Sequence, residues 1–68
     1  MIEIKIKTEY ITLGQFLKFS GIITNGCEAK VFIENNNIFI DDILEKRRGR
    51  KIYKNSLIKI DEKVYKII

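Results

Sequence analysis

The run Lys46-Arg47-Arg48-Gly49-Arg50-Lys51, followed closely by Lys54, is the densest concentration of reactive charge in the chain. From Glu45 to Lys54, six basic side chains stand against one acid, whereas the rest of the sequence holds seven basic residues against eight acids. The formal charge of +4 is therefore local, and a positive field packed into ten residues attracts polyanions, phosphate above all. Runs of this kind also occur as solvated loops that only keep a small protein soluble. Here, however, apolar Ile43 and Leu44 precede the charges and Ile52 and Tyr53 follow them, so the charges belong to a folded segment rather than a tail.

The residue types suit phosphate. The guanidinium fork can hold two phosphate oxygens or stack on an exposed base, and lysine adds charge with less geometry. Gly49, between arginines, would permit a sharp turn and close approach of backbone N–H groups to an anion, although a plain hairpin turn also accounts for it. Other chemistries lack their residues. The chain has no histidine and a single cysteine, Cys27, which excludes an internal disulfide, the usual zinc ligand sets and a histidine-activated nucleophile. Cys27 reads as a small side chain near a helix start. No cofactor or metal is expected.

With 68 residues and 46% hydrophobic content, the chain is expected to form one domain, residues 1–68, with one economical core and no deep cleft for catalysis. No apolar stretch approaches the roughly 18 residues that cross a membrane, and the N-terminus alternates charge instead of building a signal-peptide core. The expectation is a cytoplasmic protein that is not an enzyme and has no membrane partner.

The elements that must position the basic run follow from periodicity. Ile2, Ile4 and Ile6 alternate with Glu3, Lys5 and Lys7, the pattern of a half-buried strand, and Lys5 is expected on a strand opposite the basic run. Thr12 and Gln15 have capping-box spacing, with Ile11 placed to staple onto Phe16. Leu13, Phe16 and Leu17 would form the buried face of a short helix that stops at Gly21. A second helix is expected to open at Thr24 or Asn25, with Asn25 and Glu28 as a repeat of the capping spacing. It would bury Ala29, Phe32 and Ile33 and end at Asn35-Asn36-Asn37 through a left-handed asparagine. Strands are expected over Ile38–Ile40, Ser56–Ile60 and Lys63–Ile68, with turns at Asp41-Asp42 and Asp61-Glu62. The resulting fold class is α+β: two short helices packed on a small, mainly antiparallel sheet.

Two capped helices, a strand, a basic loop and another strand, in that order, resemble the RNA-binding domain first seen in small-subunit ribosomal protein four, the S-four domain. The matching strings are Thr12-Leu13-Gly14-Gln15-Phe16-Leu17-Lys18 with Gly21, then Gly26-Cys27-Glu28-Ala29-Lys30, Ile38-Phe39-Ile40-Asp41 and Arg47-Arg48-Gly49-Arg50-Lys51. They run from about Ile11 to Ile60 and are most similar to the small stand-alone bacterial members of the YaaA type. The chain departs from the wider pattern at Asn25-Gly26-Cys27, where Ser-Arg is usual, at Asp41-Asp42 in place of Asn-Gly, and at Asn55-Ser56 in place of Gly-Asp.

The resemblance implies a non-enzymatic protein that meets structured RNA, such as ribosomal RNA, through a face made by both helices and the basic loop. On this chain that face would carry Gln15, Lys18, Lys30, Arg47, Arg48, Arg50 and Lys51. Lys30 could instead pair with Glu34 one helical turn on, while Lys18 has no acid at that distance. Tyr53, Phe39 and Tyr65 are expected to be core or rim residues ahead of base-stacking platforms. A ribosomal subunit is the candidate larger partner. The rival readings are a DNA-associated module linked to replication or repair, and an adaptor whose basic loop meets an acidic protein.

Overall fold

The computed structural model describes residues 1–68. Two short helices cover one face of a five-stranded sheet, and a two-stranded ribbon closes one side. The sheet contains β1 (Ile2–Ile4), β3 (Ile38–Ile40), β4 (Ile43–Leu44), β6 (Leu57–Ile60) and β7 (Lys63–Ile67), in the order β1-β7-β6-β3-β4. Only the β1–β7 pair is parallel. The ribbon pairs β2 (Tyr10–Thr12) with β5 (Lys51–Tyr53) in antiparallel register, Ile11 opposite Ile52. The α+β class expected from the sequence is the one observed.

Helix α1 (Leu13–Phe19) begins on the expected capping box: the Gln15 N–H donates to Thr12 Oγ1 at 3.3 Å, and the Thr12 N–H donates to Gln15 Oε1 at 3.0 Å. Its end also matches expectation, since Gly21 adopts φ 82°, a left-handed conformation that glycine takes without a Cβ penalty. Leu13, Phe16 and Leu17 are fully buried and join Ala29 and Ile33 from α2 (Glu28–Asn35) over the inner sheet residues Ile38, Ile40, Ile58 and Ile67. The Phe16 ring meets the buried Tyr65 ring edge-on at 5.3 Å between centroids, a preferred aromatic geometry.

Several expectations need correction. The first strand stops at Ile4, and Ile2 is largely exposed while Ile6 is buried beyond the strand's end. Strands β2, β4 and β5 lie outside the strands expected from the sequence. Helix α2 starts at Glu28, because the Glu28 carboxylate reaches back to Thr24, accepting from its hydroxyl at 2.6 Å, while Asn25 forms its own turn by accepting from the Cys27 N–H. At the other end Asn36 is extended, not left-handed, and its side-chain amide donates back to the Phe32 carbonyl. Phe32 is only partly buried.

The Asp41-Asp42 turn has positive φ at both residues, 51° and 70°, as a two-residue hairpin between right-twisting strands requires. Asp41 Oδ1 also accepts from the Leu57 N–H at 3.0 Å, which ties the turn to β6. The acid at Asp41 thus has a local structural use.

Candidate nucleic-acid interface

Glu45 organises the basic run from within. It is the only buried charged residue, 6% exposed, and it accepts from the backbone N–H of Lys46 and Arg47, from Nε and Nη2 of Arg47 and from Nη1 of Arg50. Both ion pairs measure 2.9 Å. The Arg47 guanidinium holds the Glu45 carboxyl well down, from an ordinary 4.5 to about 2. Burial opposes that shift, and the Arg47 N–H and the Arg50 guanidinium add to it. Arg47 is in turn pushed above its usual value by the carboxylate.

Main-chain bonds then seat the loop against α1. The Leu13 N–H donates to the Arg50 carbonyl and the Gly14 N–H to the Arg48 carbonyl, both at 2.9 Å. A Cβ on Gly14 would lie 3.5 Å from the Arg48 oxygen and 3.8 Å from the Ala29 Cβ, ordinary contact distances that show how closely loop, α1 and α2 meet here. Lys46 fixes the far side, its ammonium donating to the Ile33 and Asn36 carbonyls at the C-terminal end of α2, where a cation also complements the helix dipole.

These bonds decide how an anion could be met. The leading N–H groups of α1 are spent on loop carbonyls and on Thr12, and those of Glu28 and Ala29 on the carbonyls of Asn25 and Gly26. With the first three N–H groups of α1 and the first two of α2 already paired, contact with a phosphate falls chiefly to side chains. Gly49 adds nothing special, since its φ is not positive and no atom stands near the position of a Cβ. The turn from Arg47 to Arg50, closed by the Arg50 N–H on the Arg47 carbonyl, does not demand glycine.

The expected site residues separate into groups. Arg48 is exposed and makes no side-chain hydrogen bond or ion pair; it lines a recess of about 330 Å³ together with Lys30, Lys46, Ile33 and Glu34. Lys30 forms no ion pair with Glu34, although both border that recess. Gln15 and Lys18 line a second groove on the other flank of α1, but the Gln15 oxygen is already taken by its cap. Arg47 and Arg50 are bound to Glu45, and Lys51 lies 4.9 Å over the Tyr10 ring.

Lys5 departs from expectation: it lines the same groove as Gln15 and Lys18, because the chain leaves β1 at Ile4 and runs beside α1. Tyr53 is half-exposed and pairs with Tyr10 across the ribbon, 5.8 Å between ring centroids, which suits a rim residue; Tyr65 is core. Sequence reasoning missed Glu45. The available signal was a single acid next to an apolar pair, with arginines two and five residues on.

An α+β fold that locks a basic loop onto the first of two short helices defines a class, and the comparison with known families agrees: this chain belongs to the S4 domain family, which matches residues 4–68. Among curated proteins, it is 43% identical over 58 residues to the "Probable ribosome maturation protein RlbA" of Bacillus subtilis (strain 168). That alignment covers 85% of this chain and 82% of the relative.

Proposed function

We propose that this protein is a non-enzymatic RNA-binding protein that acts in ribosome maturation by holding structured ribosomal RNA or an assembly intermediate. The observation that carries the reading is the seating of the loop: Arg48 is presented unpaired, beside Lys30, on a backbone fixed by two bonds to α1. A preset cation contacts phosphate at a lower ordering cost than one on a free loop. The S4 domain and the ribosome-maturation relative support the same assignment.

Lys18, Lys30, Arg48 and Lys51 are the principal contacts. Arg47 and Arg50 contribute field and positioning through Glu45, and Gln15 acts with its amide NH₂. Recognition is by shape and charge, since no constellation of side chains on this face suggests a base-sequence code. Competition binding tests it directly: structured ribosomal RNA should outcompete duplex DNA, single-stranded DNA and polyglutamate at matched charge. Preference for duplex DNA or polyglutamate would replace this reading with the DNA-associated or adaptor one.

A further inference from the structure

The groove on the outer flank of α1 lies largely outside the loop-centred face and has its own chemistry. Its volume is about 680 Å³, within the range of roughly 300–1,000 Å³ that takes small organic groups. Lys5, Lys7 and Thr8 line it from the segment after β1, Gln15, Lys18 and Phe19 from α1, and Ile6 and Ile11 supply an apolar floor. It contains three cations and no acid. None of the three lysines is engaged in an ion pair. Phe19 is 62% exposed on a helix whose other large apolar side chains are fully buried, so its ring has no use in the core.

We propose that this groove binds an unpaired nucleotide of the RNA whose folded part lies on the Arg48 face, a proposal that rests on the RNA-binding reading above. Lys5, Lys7 and Lys18 meet its phosphates, and the Phe19 ring receives its base. Cations beside an exposed aromatic ring are the combination that holds single-stranded nucleic acid, the ring because every base has a π-face and the lysines because they track the backbone. A phosphate alone would leave Phe19 and the apolar floor unused, and an acidic peptide would leave the ring without a planar partner. Continuity with the first face comes from Lys18, one helical turn beyond Gly14, which itself touches the basic loop. An RNA strand leaving a helix held at Arg48 therefore meets Lys18 next and the groove after it.

The test uses the whole protein and two RNAs: a ribosomal stem with an unpaired stretch beside it, and the same stem fully paired. Phe19→Ala should weaken binding to the first about tenfold and leave the second unchanged, as should Phe19→Leu, which keeps apolar bulk without a ring. The double variant Lys5→Ala/Lys7→Ala should flatten the salt dependence for the first RNA by a little over one unit of slope. Arg48→Ala should weaken both RNAs. If the Phe19 and lysine variants bind both RNAs as the unaltered protein does while Arg48→Ala weakens them, the groove is not a nucleotide site and the RNA-binding reading stands. If the lysine variant weakens both RNAs equally and Phe19→Ala neither, the groove contacts only duplex backbone and the base-stacking proposal is wrong. If the unaltered protein binds neither RNA, both readings fail together.

Discussion

The loop around Glu45 and the groove beside α1 are both basic, but they are built in opposite ways. In the loop, five donor contacts converge on one buried carboxylate, and two of the arginines are committed before any ligand arrives. The groove has three lysines on an apolar floor with no acid to order them. A buried, hydrogen-bonded charge network fixes geometry, whereas exposed lysines supply field and adapt to what comes. The number of cations in a segment is therefore a poor guide to the number available for binding: the densest run spends Lys46, Arg47 and Arg50 largely on its own architecture.

The comparison breaks most severely if Glu45 is removed. Glu45→Ala leaves Arg47 and Arg50 without their common acceptor, and stability should fall by about 2–3 kcal/mol, measured by denaturant unfolding. RNA affinity should fall with it even though the change makes the loop more positive. Higher affinity with unchanged stability would mean that the loop needs charge and no scaffold.

Acid should probe the same carboxylate more gently. The folded-state pKa of Glu45 lies below its ordinary 4.5, so its contribution is complete above about pH 5 and is lost as the pH falls through about 2. The expected loss is about 1–2 kcal/mol, reduced by water around the exposed Arg47, and Glu45→Gln should abolish this part of the acid dependence. A Glu45→Gln profile parallel to that of the unaltered protein over this range would show that the carboxylate is not held down. By contrast, Lys5→Ala/Lys7→Ala should leave the melting temperature unchanged, since neither side chain bonds within the protein. The smallest effect belongs to Cys27→Ser: Cys27 is exposed, its side chain caps nothing, and both folding and RNA affinity should be unaltered. Loss of binding by a folded Cys27→Ser protein would assign the thiol a role that the structure does not.

Local signals were legible in the sequence and distant ones were not. Thr12 and Gln15 advertise a helix start because both halves of the capping box lie within one turn, and Gly21 marks its stop. Strand β2 was invisible because Tyr10-Ile11-Thr12 is three residues long and its partner, Lys51–Tyr53, lies on the far side of both helices and two other strands. The α2 start was misread because Glu28 bonds four residues back to Thr24 where a capping box spans three. Lys5 is exposed, as its alternation with Ile4 and Ile6 implies. Away from the core is not away from α1, however, once β1 ends at Ile4. In the sequence Glu45 shows only as one negative charge among the basic residues, since burial of a lone acid depends on what packs over it.

The most direct test of RNA binding through the seated loop is the salt dependence of affinity for a structured ribosomal RNA fragment, measured for the unaltered protein, Arg48→Ala and Lys59→Ala. Lys59 is exposed on β6 between the buried Ile58 and Ile60, and so points from the sheet face opposite the helices. Arg48→Ala should weaken binding about tenfold at low salt and reduce the slope of log affinity against log salt by about 0.7–0.9, the value of one phosphate contact. Lys59→Ala should change neither. Equal losses from the two substitutions would mean that the RNA senses total charge alone, and that the face formed by the helices and the loop is not the binding site.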